Sequence, residues 1–459
     1  MAEAYKWVYT ATSGRAWITG LEGEAPESLT VPDTLGGCEV TAMGLYPYQY
    51  EQPDYNPHTG EIFTRTEVTT KTCALTGMKG VKSLRLPRTL RQMSEEVFDQ
   101  MDSLRQVTVY SSFFTVDGGC LFDFTGVLYG VFTDARQVTL PEKVERILPR
   151  AFRFSPSVEK VVLTRSVFPE ESRYASAGAL TGSRVREVVF PEGVTYLGAF
   201  FKDYQGVERL TVPSTVKSLS ALFDGCRSLK EITLGEGLST IGSRSFAGCA
   251  SLERVCLPNS LKEIGDEAFS GSGLRSIAVP DGVTKIGKNA FKYCSALEEA
   301  VLPRDATLGW EAFRYCESLK KVTLPETLTQ ISSFTFEKCA SLAEIVIPDG
   351  VHSICEKAFA GCKSLKKVRL PKSLVSIYDN AFYGCEGLES IVLPASVEWL
   401  YECALFDVQR VFYEGSEAEF KRIHRSFANG RATFFYAETK PESGGKYWRY
   451  VDGEPTIWE

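Results

Sequence analysis

The stretch Leu365–Pro394, LKKVRLPKSLVSIYDNAFYGCEGLESIVLP, carries the pattern that decides the fold. In Lys367-Val368-Arg369-Leu370 charged and apolar residues alternate, the period of two that marks a short strand with Val368 and Leu370 turned inward. Pro371 ends that strand at once, because proline has no N–H to give to a ladder. The rest of the unit must return the chain to the next strand, and a helical turn is expected around Asn380–Phe382. The same grammar recurs along the chain. Strand-ending positions fall at Pro32, Pro87, Pro141, Pro191, Pro213, Gly235, Pro258, Pro280, Pro303, Pro325, Pro348, Pro371 and Pro394, and from Pro191 onward the intervals are 22 or 23 residues. A unit this small cannot bury its own apolar face, so neighbouring units must stack.

Two further columns keep the period. Phe98, Phe152, Phe201, Phe223, Phe246, Phe269, Phe291, Phe313, Phe336, Phe359 and Phe382 follow the strand-ending residue by ten or eleven positions. They read as a stack of rings inside a solenoid, offset or edge to face, rather than as an aromatic binding face. Cys226, Cys249, Cys294, Cys316, Cys339, Cys362 and Cys385 follow the phenylalanine by three, with Ser272 in place of the missing member. Such a column offers one thiol per rung, whereas a metal needs converging ligands, so these cysteines read as small buried hydrophobes.

Composition supports this and narrows the function. The 459 residues are 44% hydrophobic and 24% charged, enough apolar matter for a sizeable core. Length alone suggests about three domains, but the period turns it into a count of roughly 14 stacked units. The net charge of −7 and the lack of a basic stripe argue against nucleic-acid binding. No run of 18 apolar residues exists, so no membrane-spanning helix is expected. The first twenty residues have neither a basic start nor a continuous apolar stretch, which points to the cytosol or to a leader already trimmed. Thirteen cysteines without any C-x-x-C fit a disulfide framework poorly. Only His58, His352 and His424 are present, widely spaced, and no nucleophile, phosphate-loop or metalloprotease motif accompanies them. No catalytic residue, metal site or cofactor is expected.

The repeat L-x-x-[IV]-x-[LV]-P followed by A-F-x-x-C-x-x-L resembles the BspA-like (Treponema-type) leucine-rich-repeat family over roughly residues 29–413. That resemblance implies an α/β leucine-rich-repeat solenoid, with one curved parallel sheet on the concave side, short helical turns and loops on the convex side, and terminal caps. It also implies a bacterial protein, secreted or on the cell surface, with an adhesive role. The expected organisation is an entry segment at 1–31, a solenoid at 32–413 with insertions near 44–72, 111–136 and 166–182, and a closing module at 414–459. Within that module Ser416-x-x-Glu419 reads as a capping box, and Trp448, Tyr450 and Trp458 are expected to fold over the last repeat. In the second insertion a β-hairpin is expected around Asp117–Gly119.

Candidate surfaces follow from the strand pattern. Outward mid-strand positions run Arg85, Thr108, Thr139, Val162, Val189, Thr211, Thr233, Cys256, Ala278, Val301, Thr323, Val346, Arg369, Val392 and Phe412, and none is charged from Val162 to Val346. Val189, Thr211, Thr233, Ala278, Val301, Thr323 and Val346 are therefore candidate binding residues, although valine and threonine also simply suit a strand. Beside them Glu159, Arg186, Glu208, Lys230, Glu253, Arg275, Glu298 and Lys320 alternate in sign, and Lys160, Glu187, Arg209, Glu231 and Arg254 alternate in the opposite phase. These read as mutually satisfied ladders that keep register. Tyr46, Tyr48, Tyr50 and Tyr55, with three prolines close by, form a second candidate, a recognition loop in the first insertion. Tyr293, Tyr315 and Trp310 suggest a small aromatic patch on the convex side. The expected function is a non-catalytic scaffold that binds an unidentified protein or glycan. A structural or self-associating repeat protein is the alternative, and a carbohydrate-active solenoid enzyme a remote one.

Overall fold

The computed structural model describes residues 5–55, 62–168, 176–197, 200–201, 204–425, 432–441 and 446–458. The chain forms two compact units, Met1–Pro191 with Gly198–Tyr204, and Glu192–Leu197 with Gln205–Glu459.

The first unit opens with an antiparallel hairpin, Tyr5–Thr12 and Arg15–Gly23, turned at Ser13 and Gly14, both at positive φ. The second of these strands pairs in parallel with Cys38–Met43. Repeat strands Ser28–Thr30, Ser83–Leu86 and Gln106–Val109 form a parallel ladder, as do Gln137–Thr139, Lys160–Val162 and Glu187–Val189. The expected hairpin at Asp117–Gly119 is present, joining Phe114–Asp117 to Cys120–Asp123 through Gly118 and Gly119 at φ 54° and 82°. Its Phe114 and Leu121 belong to the core, while Val116 is exposed. Phe98 meets Phe132 and Phe154 edge to face at 5.9 Å in each case, and Leu84, Leu121 and Leu148 are buried around them.

In the second unit each repeat makes three passes. The first is the proline-terminated strand, such as Arg209–Val212, Glu231–Leu234, Ser276–Ala278 or Lys367–Arg369. The second is a strand of only two residues, such as Thr240–Ile241, Glu263–Ile264 or Lys285–Ile286, which pairs in parallel with its counterparts in neighbouring repeats. The third is a tight turn that carries the phenylalanine and the cysteine. The helical turns expected opposite the long strands do not form. Among the described residues the helical segments are Ala151–Phe154, a short 3-10 turn around Phe152 in the first unit, Arg165–Val167 and Glu417–Phe420, and none lies in the repeating turns of the second unit.

That turn is built from positive-φ residues. Arg244, Glu267, Asn289, Glu311, Phe334, Lys357, Asn380 and Cys403 lie at φ 51° to 60°, each two residues before the phenylalanine or its equivalent. Four residues later a second left-handed position is filled by Gly248, Gly271, Tyr293, Tyr315, Lys338, Gly361 and Gly384. A helix cannot include such residues, because left-handed geometry reverses the chain. It turns alternate amides toward the next repeat instead: Lys357, Phe359 and Gly361 donate to the carbonyls of Asp379, Ala381 and Tyr383 at 2.7 to 3.0 Å. The same three-bond rung joins each repeat to the next from Ala221 onward, and at its far end Gly384 N–H donates to the Asp407 carboxylate at 2.6 Å.

The phenylalanine rings lie directly inside this ladder. From Phe223 to Phe382 successive rings are 5.2 to 5.6 Å apart and within 14° of parallel. Repeat spacing is fixed by the hydrogen-bonded ladders at about 4.8 Å, so parallel rings at this separation must be offset, a favoured arrangement of their quadrupoles. From Cys249 onward each column cysteine thiol then donates to the phenylalanine carbonyl of the preceding repeat, as in Cys294 to Phe269 at 3.0 Å and Cys385 to Phe359 at 3.2 Å. The column is therefore a packed and hydrogen-bonded interior, as its spacing indicates.

The capping box expected at Ser416 and Glu419 forms. Ser416 Oγ accepts from the Glu419 amide at 3.3 Å while the Glu419 carboxylate accepts from the Ser416 amide at 2.8 Å, opening the four-residue helix Glu417–Phe420. Trp448 is fully buried against Phe412 and donates its indole N–H to the Tyr413 carbonyl at 3.0 Å, and Trp458 bonds the Ala437 carbonyl at 2.9 Å.

Substitutions in the turn test this account. Gly384→Ala should lower stability by about 1–2 kcal/mol, because its φ of 74° is left-handed and the new Cβ would lie 3.3 Å from Gly361 Cα. Lys338→Gly relieves the same conformation and should cost less than about 0.5 kcal/mol. Phe313→Ala, which removes a ring stacked on both sides, should cost about 3–5 kcal/mol. Urea-unfolding midpoints read all three.

Candidate binding surfaces

Outward positions on the proline-terminated strands are where the alternation places them. Thr211, Thr233, Ala278, Val301, Thr323 and Val346 are exposed, Val301 by 41% and Val346 by 59%, and Val189 in the first unit is half-buried. The flanking charges pair across neighbouring strands: Lys230 with Glu208 at 3.0 Å, Arg275 with Glu253 at 3.1 Å and Lys320 with Glu298 at 2.6 Å. In the second column Lys160 meets Glu187 at 2.7 Å and Arg209 meets Glu231 at 3.5 Å. The row is thus bordered by charges that largely neutralise one another.

It is not an unbroken ladder. No strand forms at 254–257, and pairing also lapses between Lys321–Thr323 and Glu344–Val346, and between Lys367–Arg369 and Ser390–Leu393. Two of these lapses coincide with cavities. One of about 980 Å³ lies beside Ile232, Thr233, Val255 and the exposed Cys256. The other, of about 760 Å³, lies between Val368 and Ile391 under the C-terminal hairpin. Phe412 departs from its expected outward position: Phe434 and Trp448 cover it, and only 3% of it remains exposed.

The tyrosine-rich insertion is not a loop. Leu45–Tyr55 and Ile62–Thr72 form an antiparallel ribbon registered from Leu45 opposite Thr72 to Tyr55 opposite Ile62, which places all four tyrosines on a strand. Tyr46 is half-buried, and the side chains of Tyr48, Tyr50 and Tyr55 lie outside what the structure describes. In the third insertion, residues 169–175 likewise lie outside the described residues.

The aromatic patch is real as geometry. Tyr293 and Tyr315 stack at 5.1 Å, with Lys292 over the first ring and Arg314 over the second, and Lys288 lies over Trp310. Beneath them Glu311, almost fully buried, accepts from Lys292 at 2.5 Å and from Arg314 at 3.0 Å. Burial raises the Glu311 carboxyl, but those two bonds outweigh it and hold it below the usual carboxylate range. Since the cations over the two tyrosine rings, Lys292 and Arg314, also serve Glu311, the cluster is knit into the repeat turn. A further aromatic group went unnoticed in the sequence: Tyr378 stacks on Tyr401 at 4.6 Å, and Trp399 stacks on His424 at 4.2 Å. Trp399 and His424 lie on two-residue strands and Tyr378 and Tyr401 directly follow such strands, so the group is visible only once that second ladder is known.

No group of His, Cys, Asp or Glu among the described residues converges as a metal site. The column thiols are chemically quiet. Burial raises Cys226 to about 12 and Cys294 to about 11, and raises Cys316 and Cys362 well above the ordinary thiol value. Exposed Cys256 stands apart from them.

Over 62–411 the sequence matches the family described as BspA type leucine rich repeat region, in overlapping segments 62–168, 129–221, 176–298, 220–340 and 296–411. The chain belongs to this BspA-type leucine-rich-repeat family. No curated protein matches it. Among solved structures it is similar to a leucine-rich repeat protein from Bacteroides ovatus, with 21% identity, a TM-score of 0.53, and 94% of this chain and 99% of that one covered. It is also similar to a leucine rich cell surface protein from Faecalibacterium prausnitzii, at 19% identity and a TM-score of 0.34 over 92% of this chain and 97% of that one. The pneumococcal vaccine antigen PcpA matches at 17% identity and 0.36 over 94% and 97%. The Bacteroides protein shares the fold of this BspA-type chain, a parallel β-solenoid of stacked turns with almost no helix. No helix among the described residues is long and apolar enough to cross a membrane.

Thiol labelling gives a direct check on the interior of this BspA-type solenoid. With iodoacetamide at pH 8, mass spectrometry should find Cys256 modified first, and the seven column cysteines modified only after denaturant is added.

Proposed function

We propose that the protein is a non-catalytic binding scaffold, secreted or displayed at the cell surface as is usual for BspA-type repeats. The observation that carries this reading is the exposed, uncharged row Thr211, Thr233, Ala278, Val301, Thr323 and Val346, bordered by charges already paired with each other. A surface with its charges satisfied and its centre apolar costs little to desolvate, which suits contact with a protein or glycan. Val189 is a separate candidate within the first unit, and the ribbon bearing Tyr46, Tyr48, Tyr50 and Tyr55 is the second contact region of the proposal. Catalysis receives no support, because the outward mid-strand positions carry no carboxylate.

A second reading, self-association through the same row, follows from the same exposed valines. Light scattering separates the two. A chain that stays monomeric at high concentration, and whose binding to a bacterial or host surface preparation falls at least tenfold on Thr233→Glu, Val301→Glu and Val346→Glu together, supports the scaffold. A dimer that the triple variant dissociates supports self-association. A monomer whose surface binding the triple variant leaves unchanged rules out the row in either role, and replacement of 47–70 by a short Gly-Ser linker then tests the ribbon.

A further inference from the structure

The C-terminal hairpin does more than close the stack. Strands Tyr447–Val451 and Glu454–Ile457 pair antiparallel, and their turn at Asp452 and Gly453, with φ of 50° and 79°, carries Glu454 back over the proline-terminated strands. There Glu454 meets Lys367 at 2.6 Å, an ion pair that spans 87 residues of sequence. Among the described residues the ion pairs between proline-terminated strands, such as Lys230 with Glu208 and Arg410 with Glu389, join neighbouring repeats, so this one is a different kind of contact.

The place it reaches is the cleft of about 760 Å³ where Lys367–Arg369 and Ser390–Leu393 lie side by side without pairing. Four cations line it: Lys366, Lys367, Arg369 and Lys372. The alternation of sign that satisfies the earlier repeats fails here, because the repeat before presents Ala343 and Glu344 and the repeat after presents Glu389 and Ser390. Glu389 is engaged by Arg410 at 3.4 Å. Lys366, Arg369 and Lys372 consequently have no carboxylate partner among the described residues. Of the cleft's own acids, Glu414 accepts from the Tyr450 hydroxyl at 2.8 Å, Glu454 is held by Lys367, and Asp349 also lines the cleft. In a chain of net charge −7 this is a local basic site with an apolar floor of Val368, Ile391 and Pro394.

The hairpin is firmly held at its base and weakly at its tip. Trp448 is buried and bonded to the Tyr413 carbonyl and Tyr450 is bonded to Glu414, whereas among the described residues the turn beyond them is held by the pair between Lys367 and Glu454, about two-thirds exposed on both sides. Such an exposed pair is a weak tether that a competing carboxylate can displace. We propose that this cleft binds an extended acidic peptide segment of a partner protein, with Glu454 as the resident carboxylate that the segment displaces. Spacing selects a peptide. Lys367 and Arg369 point outward from one strand two residues apart, about 6.6–6.8 Å, which is the repeat of alternate side chains on an extended chain. The carboxylate already seated there is itself presented by a β-strand. This site is separate from the uncharged row, and its failure would leave the scaffold reading intact.

The test is fluorescence anisotropy on the full chain, with a labelled peptide of alternating aspartate and serine as the probe. Its asparagine counterpart and an oligogalacturonate of similar charge serve as comparisons. Wild type should bind the aspartate peptide in a salt-dependent way and ignore the asparagine peptide. Lys366→Ser with Arg369→Ser should weaken binding at least tenfold, and Glu454→Gln should tighten it about threefold by removing the internal competitor. These side chains are exposed, so an unchanged thermal midpoint checks the fold of each variant. The proposal is overturned if the aspartate peptide does not bind, if the double variant binds it as well as wild type, or if Glu454→Gln weakens it. It is equally overturned if oligogalacturonate binds the cleft more tightly than the peptide, since the site would then be one for acidic glycans.

Discussion

Each repeat of the second unit is tied to the next through the turn that holds its phenylalanine. Two left-handed residues aim three amides of that turn at the following repeat, and the ring between them lies flat on the ring beyond. Amide ladder and ring stack impose the same spacing from two sides, one directional and one through apolar contact. The cysteine completes the arrangement by giving its thiol to a carbonyl in the buried interior. Unlike the ladder of long strands, which lapses at three places, this rung runs without a break from Ala221 to Ala404.

That division has consequences for function. Because the turns and rings hold the repeats in register, the long-strand face does not have to pair at every step. Where it lapses, cavities open beside Cys256 and beneath the C-terminal hairpin without loss of the stack behind them. A solenoid stabilised on its turn side can vary its other face freely, including the unpaired cations at Lys366, Arg369 and Lys372. The uncharged row and the basic cleft are thus two surfaces on one frame, distinguished by whether neighbouring repeats neutralise each other.

The parts readable from sequence are those that repeat with a fixed residue type. The period, the phenylalanine and cysteine columns, the alternating ion pairs and the capping box at Ser416 and Glu419 all announce themselves by side-chain chemistry. The turn did not. Its first left-handed position is filled by Arg244, Glu267, Asn289, Glu311, Phe334, Lys357, Asn380 and Cys403, which share nothing but conformation. Glycine at Gly248, Gly271, Gly361 and Gly384 was the one available hint of left-handed geometry, weakened where Tyr293, Tyr315 and Lys338 replace it. A ribbon at Leu45–Tyr55 was hidden for a related reason, since Pro47 and Pro53 read as loop residues although an edge strand tolerates them. The contact between Lys367 and Glu454 could not be read at all, because no periodicity links positions so far apart.

Residue-resolved amide hydrogen exchange addresses the central claim most directly. If the turn rungs hold the repeats together, the amides of Phe291, Phe313, Phe336 and Phe359 should be among the slowest to exchange in the second unit, slower than those at 254–257 where no strand forms. If instead those phenylalanine amides exchange before the amides of Arg209–Val212 and Glu231–Leu234, the long-strand ladder carries the fold and the account is wrong.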